Sequence, residues 1–256
     1  MSNEHERATA RPPDWKEHRL VESYDVDVRG RLRPHVLFSY LLNSAWNHAK
    51  GSTYGFAELT ARNLMWVLIK FQMLLQNQPK WHDRLTIETW GKRIERLYAL
   101  RDFVVRGPSG ETLVSATSAW LVLDRDSGRP QRFDTHADGF PWQPLKEVME
   151  TSLEKVPELQ GGTPESTFHV HFSDIDVNRH VGSAKYLQWF MDSHSAELLE
   201  RSAPQAIELS YLNEAILNDD VCVFSDQKEE SELCSLRRAR DSRELCRARI
   251  RWGQPG

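Results

Sequence analysis

Cysteine is scarce in this chain: three residues, Cys222, Cys234 and Cys246, in 256. An odd count with no close pair argues against a disulfide framework and against a zinc site. The even spacing reads as one buried cysteine on each of successive strands, where free cysteine serves as a small core residue. A reducing, cytoplasmic setting is the expectation that follows. Long apolar runs are missing too. The longest, Leu64 to Ile69, is far too short to span a bilayer, and the stretch from Met1 to Trp15 is polar with mixed charge, unlike a signal peptide. Charge of one sign is not in excess. The 33 Lys and Arg against 37 Asp and Glu leave a net −4, so no global field favours nucleic acid or an anionic membrane. The reading therefore expects no nucleic-acid partner, no membrane, no metal and no cofactor.

What is present is a globular composition, 39% hydrophobic and 27% charged with nine tryptophans, not a disordered one. The length suits two ordinary domains and buries a core without staples. From Arg19 the pattern reads strand, helix, strands. An extended piece at Tyr24–Val28 precedes Pro34 and a helix from His35 to about Lys50, whose apolar stripe is Leu37, Leu41, Ala45 and Ala49. Strands are expected over Leu64–Gln76, Arg84–Trp90, Leu100–Arg106 and Thr112–Asp124, the last apolar on both alternating faces and so covered on both. A linker with one helical piece near Leu145–Val156 interrupts the pattern, and then the order repeats. A strand at Phe168–Phe172 leads to a helix from Ser183 to Leu199, followed by strands at Ala206–Asn213, Val221–Lys228, Glu232–Arg240 and Glu244–Trp252. One long helix followed by an antiparallel meander, twice, suggests a duplicated α+β unit. Laying Tyr40 on Tyr186, Leu41 on Leu187 and His48 on His194 superposes the two helices.

The chemistry concentrates in Phe172-Ser173-Asp174-Ile175-Asp176-Val177-Asn178-Arg179-His180-Val181, just before the second helix. A structural role is available: Asp174 or Asp176 as a cap, Asn178 in a turn and His180 on the surface. Against it, Asp176, Asn178 and His180 alternate, so an extended segment points all three to one side. The cluster also sits at a helix amino end, where free N–H groups favour developing negative charge.

This run resembles the active-site signature of the plant and bacterial acyl-acyl carrier protein thioesterases, an Asp-x-Asn-x-His-Val with a tyrosine, here Tyr186, six residues past the histidine. Leu64-Met65-Trp66-Val67, Pro79-Lys80-Trp81-His82-Asp83, Glu88-Thr89-Trp90 and Ala116-Thr117-Ser118-Ala119-Trp120 with Asp124-Arg125-Asp126-Ser127-Gly128 are similar to its first-domain strands. Leu209-Ser210-Tyr211-Leu212-Asn213-Glu214-Ala215 resembles the strand that supplies its catalytic glutamate. Two positions depart: Gly182 and Ser183 stand where an asparagine pair is usual, and Ala215 where some members carry cysteine. Gly182 could allow closer backbone approach to a ligand.

The resemblance implies an α+β tandem (double) hot-dog, each unit a long helix wrapped by an antiparallel sheet. Residues 1–16 would be a disordered tail, 17–130 a catalytically silent first hot-dog that binds the acyl chain, 131–165 a linker and 166–256 the catalytic second hot-dog. It implies a thioester hydrolase that releases fatty acid from acyl carrier protein and so terminates fatty acid synthesis. Carried over by position, the catalytic set is Asp176, Asn178, His180 and Glu214, with Val181, Gly182 and Ser183 at the helix start as oxyanion donors. Trp66, Leu68 and Met73 are the expected acyl-chain pocket. Carrier proteins are acidic, so Arg247, Arg249 and Arg251, alternating on one strand face, are the expected docking patch. The helix superposition sets Leu32 opposite Asn178, Pro34 opposite His180, and Leu68 or Asn77 opposite Glu214. A homodimer is compatible with the resemblance, although a double hot-dog can satisfy its sheet pairing within one chain. Two other readings stay open: an acyl-coenzyme A thioesterase with the same site, and a non-catalytic acyl-binding regulator.

Overall fold

The computed structural model describes residues 13–132, 140, 142–227 and 231–254. Its elements run β1 (Trp15–Leu20), α1 (Pro34–Ala49), α2 (Phe56–Ala61), β2 (Leu64–Leu75), β3 (Arg84–Glu95), β4 (Tyr98–Arg106), β5 (Thr112–Asp124) and β6 (Pro130–Gln131). The second half continues with β7 (Ser166–His169), α3 (Ser183–Asp192), α4 (Ala196–Arg201), β8 (Ala203–Tyr211), β9 (Asp220–Gln227), β10 (Glu232–Arg238) and β11 (Glu244–Gly253). The strands form one antiparallel sheet in the order β1-β3-β4-β5-β2-β8-β11-β10-β9-β7, with β6 on the end of β5. Read outward from the β2–β8 seam, the two halves list equivalent strands in the same order. This is the double hot-dog, and its two units share a sheet through Lys70–Leu74 of β2 paired with Ser210–Ala206 of β8.

Both long helices lie on the concave face. Leu37, Phe38 and Leu41 of α1 and Tyr186, Leu187 and Phe190 of α3 are buried in one core with Phe71, Phe103, Ile207, Leu209 and Ile250 of the sheet. Burying an aliphatic or aromatic side chain contributes about 1.5–3 kcal/mol each, which is why the helix stripe and strand alternation dominate the fold. No helix among the described residues is long and apolar enough to cross a membrane.

The convex face explains why β5 is covered twice. The segment 142–159 forms no helix, contrary to the piece expected at Leu145–Val156. It is an extended strap laid across the strands. Its backbone is satisfied by side chains of the sheet: Trp90 Nε1 and Lys92 Nζ donate to the carbonyls of Lys146 and Met149, and Asp102 accepts from Val148 N. Farther along, Gln72 accepts from Ser152 N, Lys70 donates to Glu154 O, Ser210 accepts from Val156 N and Arg237 donates to Leu159 O. Buried backbone polar groups must be paired, and here polar residues planted on sheet strands pair them.

Three other expectations change. Tyr24–Val28 is not a strand but a turn closed by a single bridge between Val26 and Leu32. The helix expected over Ser183–Leu199 is broken, because Ser195 Oγ accepts Leu198 N at 3.2 Å and starts α4 anew. Of the expected tail, residues 1–12 lie outside the described residues, whereas Trp15 and Lys16 already pair with Thr89 and Glu88 of β3. Lys228, the expected end of the ninth strand, also lies outside them.

Candidate functional site

The loop from Asp174 to Ser183 is a tight turn held by its own backbone. Asp176 N donates to His180 O (2.8 Å), Arg179 N to Asp176 O (3.0 Å) and Gly182 N to Asp174 O (3.0 Å). Arg179 takes φ of 66°, the left-handed conformation that closes the turn. The segment is therefore not extended, yet Asp176, Asn178 and His180 all line one cleft of about 440 Å³. Asp176 acts on the backbone, its Oδ1 accepting from Asn178 N (2.8 Å) and His180 N (3.4 Å).

Glu214 enters from the loop after β8. Val181 N donates to Ala215 O (3.0 Å), Tyr186 Oη accepts from Ala215 N (2.8 Å) and Arg238 donates to Glu214 O (3.3 Å). These contacts fix the backbone on both sides of the carboxylate. His180 Nε2 then lies 3.1 Å from Glu214 Oε2, both side chains partly exposed to the cleft.

Arg125, at the end of β5 in the first half, was not among the expected site residues. It donates to Leu64 O (3.1 Å) and to Asn178 Oδ1 (2.9 Å). With its oxygen committed to a cation, the Asn178 amide presents its NH₂ group as donor. Nothing local in the sequence signals this contact, since the partners lie 53 residues apart. Tyr211 is a second addition, donating to Ser183 O at 2.8 Å and thereby anchoring the first turn of α3.

Of the three expected oxyanion donors, Val181 N and Gly182 N are already spent on the carbonyls of Ala215 and Asp174. Ser183, which lines the cleft, is the first residue of α3, where a backbone N–H has no partner within the helix. Gly182 has no steric duty: a Cβ there would meet nothing closer than 3.9 Å. Close backbone approach does not explain it.

Trp66 and Leu68 of β2 form the opposite wall of the cleft. Met73 does not reach it. It is buried in the core, in register with Ile207 and Ala116. Arg247, Arg249 and Arg251 lie away from the cleft. Arg247 is also occupied by Glu244, Glu158 and Val156 O, and Arg249 pairs with Glu208 at 3.4 Å.

The first half repeats the loop in a different register from the one expected. Asp27 N donates to Arg31 O, Gly30 N to Asp27 O and Arg33 N to Asp25 O, so Asp27, Arg29 and Arg31 stand where Asp176, Asn178 and His180 stand. In the same way Leu32 N donates to Pro79 O as Val181 N does to Ala215 O, which sets Gln78 opposite Glu214. Leu32, Pro34, Leu68 and Asn77 are not the equivalents. Tyr40 and Leu41 accordingly fall opposite Trp189 and Phe190. At the far ends of the helices His48 and His194 do correspond: each meets the same strand position, Arg101 on β4 and Glu232 on β10.

The chain matches the model of the acyl-ACP thioesterase N-terminal domain over residues 13–137 and that of the C-terminal domain over 159–254. It is 29% identical to the chloroplastic oleoyl-acyl carrier protein thioesterase 2 of Arabidopsis thaliana over 86% of its own length and 65% of the relative's. It is 25% identical to the palmitoyl-acyl carrier protein thioesterase of the same plant, over 91% and 62%. It thus spans about two thirds of the length of these curated relatives. The crystal structure of an acyl-ACP thioesterase from Bacteroides thetaiotaomicron superposes with a TM-score of 0.86 at 25% identity, covering 94% of this chain and 98% of that one. The 12:0-ACP thioesterase of Umbellularia californica shares the fold at a TM-score of 0.83 and 22% identity, over 95% and 98%. With both domain models matched in order along most of its length, the chain belongs to the acyl-ACP thioesterase family.

Proposed function

We propose that the protein hydrolyses fatty acyl-acyl carrier protein thioesters to free fatty acid and carrier thiol, in a step that ends chain synthesis. The observation that carries this reading is the pairing of His180 with Glu214 at 3.1 Å beside an Asn178 amide whose oxygen is held by Arg125.

In this reading the thioester carbonyl lies against Asn178 NH₂ and Ser183 N–H, which stabilise the oxyanion. Such a donor typically contributes about 3–4 kcal/mol. Glu214, with His180 bound to it, takes a proton from water as the water oxygen attacks the carbonyl carbon. The tetrahedral intermediate collapses with C–S cleavage, and the same pair returns the proton to sulfur. A thiolate of pKa about 8.5 leaves without a strong acid, so water activation is the step that needs the base.

The second half is the catalytic unit in this reading, and the first half is silent because Arg29, Arg31 and Gln78 cannot act as base. It contributes Arg125, Trp66 and Leu68 to the cleft, the last two as acyl-chain contacts. Acyl-coenzyme A shares the phosphopantetheine arm and is the rival substrate. The free cysteines support a reducing compartment such as the cytoplasm. The named plant relatives are chloroplastic.

Thiol release from matched acyl-carrier-protein and acyl-coenzyme A thioesters tests the proposal. Glu214→Gln should lower kcat by about 10²–10⁴-fold and Asn178→Ala by about 10²–10³-fold. Tight acyl binding with no turnover by the unaltered protein at any chain length would overturn it in favour of a regulator.

A further inference from the structure

Tyr186 of α3 and Tyr211 of β8 both line the cleft beside His180 and Glu214, with ring centres 5.5 Å apart. The first half has no counterpart to either hydroxyl. With the two loops equated by their backbone hydrogen bonds, Tyr186 falls on Leu37. Tyr211 falls on Leu75, pairing with Cys246 of β11 as Leu75 pairs with Val114 of β5. Both leucines are buried in the core. Packing at these places therefore asks only for an apolar side chain, and each hydroxyl is an addition that needs partners once buried.

Tyr211 spends its proton on Ser183 O at 2.8 Å. Tyr186 does not spend its own. Its oxygen accepts from Ala215 N at 2.8 Å, but among the described residues no group accepts its proton. The residue is 3% exposed, and burial pushes its pKa up, so the proton stays on the oxygen at neutral pH. A tyrosine hydroxyl has one O–H to give. Here the backbone holds the oxygen and leaves the proton for whatever enters the cleft.

A purely structural duty would be to satisfy Ala215 N–H, and the first half shows that the fold can do without it. Opposite Ala215 stands Pro79, which has no N–H, and opposite Tyr186 stands a leucine, which has no acceptor. The second half keeps both the donor and the hydroxyl that meets it. The result fixes that hydroxyl on the peptide nitrogen that follows Glu214.

Resting on the thioesterase reading, we propose that Tyr186 holds the attacking water, its O–H donating to one lone pair of the water oxygen. The other lone pair then faces the thioester carbon, and one hydrogen faces Glu214. As the water oxygen adds to the carbon, that proton passes to the Glu214–His180 pair. The carbonyl π electrons move onto oxygen, toward Asn178 and Ser183. Tyr186 gives up no proton. It acts by orienting the nucleophile, while Tyr211 steadies the oxyanion side by anchoring Ser183.

The test follows thiol release and thermal unfolding in Tyr186→Phe, Ala215→Pro and the double variant, which rebuilds the first-half combination of an apolar side chain and a proline. Tyr186→Phe should lower kcat about 10²-fold with KM little changed. Its melting temperature should also fall, because Ala215 N–H loses its acceptor. Adding Ala215→Pro should restore the melting temperature, yet kcat should stay about 10²-fold below that of Ala215→Pro alone. Recovery of kcat together with the melting temperature overturns the proposal, since the hydroxyl would then serve only the backbone. If the proline variants do not fold, hydroxylamine decides on Tyr186→Phe by itself. Its nitrogen attacks the bound thioester to give hydroxamic acid and thiol, a route that does not use the held water. With the enzyme-free rate subtracted, the ratio of hydroxamic to carboxylic acid should rise about tenfold in the variant. An unchanged ratio, with both products reduced alike, overturns the proposal. Silence of the unaltered protein on every thioester is a different result: it removes the thioesterase reading and the proposal with it.

Discussion

In the first half Asp27 and Arg31, and in the second half Asp176 and His180, occupy the same places in the same turn, each aspartate accepting the backbone N–H groups of its own loop. What differs is where the fifth residue of the turn spends its side chain. Arg31 is buried, ion-paired with Asp27 at 2.8 Å, and its two terminal nitrogens hold the carbonyls of Leu199 and Ser202 at the end of α4. Arg29 reaches the neighbouring carbonyl of Glu200. The first-half loop is thus a clamp on the carboxyl end of a helix from the other half, where cations are favoured. His180 makes no such contact and faces the cleft with Glu214. One backbone turn recurs in the two halves, and the residue type decides whether it fastens a helix end or faces the cleft.

The comparison breaks most visibly by exchanging the readouts. His180→Ala should cost about 10²–10⁴-fold in kcat while the melting temperature stays within a few degrees. Arg31→Ala should do the reverse, lowering stability by about 2–4 kcal/mol because two helix-end carbonyls and Asp27 lose their partner. Thiol release per folded molecule should stay near its original value. Thermal unfolding and turnover measured on the same samples check both. Equal loss of activity in the two variants would mean that the first loop is not merely a fastener.

Arg125 sharpens the contrast from the opposite direction, since it is a first-half residue that serves the second-half site. Arg125→Ala frees Asn178 Oδ1 and lets the amide rotate, so about a tenfold loss in kcat with little change in KM is expected from the weakened oxyanion contact. Arg125→Lys should recover part of it, because a single donor reaches the same oxygen. A KM effect alone, with kcat intact, would place Arg125 in substrate binding instead.

Much of this arrangement was legible in the chain because side-chain period is a local property. Thr112–Asp124 and Arg84 were bounded correctly by alternation and by turn residues such as Gly110, which takes φ of 85°. The Asp-x-Asn-x-His run likewise displayed its loop whole. The register between the halves was missed because the match was made on the helices, whereas the loops, which share Asp25 with Asp174, Asp27 with Asp176 and Val28 with Val177, are equated by their backbone hydrogen bonds. Matching His48 to His194 was right at the helix ends and wrong at the helix starts, as α1 runs on where α3 breaks at Ser193. The strap escaped for a related reason: its apolar spacing imitated a helix, while its hydrogen-bond partners are scattered over the sheet from Trp90 to Arg237.

The smallest expected effect belongs to the helix end of the second half. Burial opposes a charged His194, but the hydrogen bond and charge of Glu232 outweigh it and hold its pKa above the ordinary 6.5. Burial likewise opposes a charged Glu232, and the bonds from His194 and Trp252 bring its pKa below 4.5. A raised histidine contributes stability that is complete below about pH 6.5 and is lost as pH rises through its folded value. A lowered carboxylate contributes above 4.5 and loses it as pH falls. The pair therefore stabilises most between these values. Comparing the unaltered protein with His194→Gln by urea unfolding, the difference should be greatest near pH 5.5 and shrink by about 1 kcal/mol toward pH 8.5. Glu232→Gln should abolish the maximum, because the carboxylate that holds the proton on His194 is gone. A maximum that persists in Glu232→Gln would mean that a group other than Glu232 holds the charge on His194.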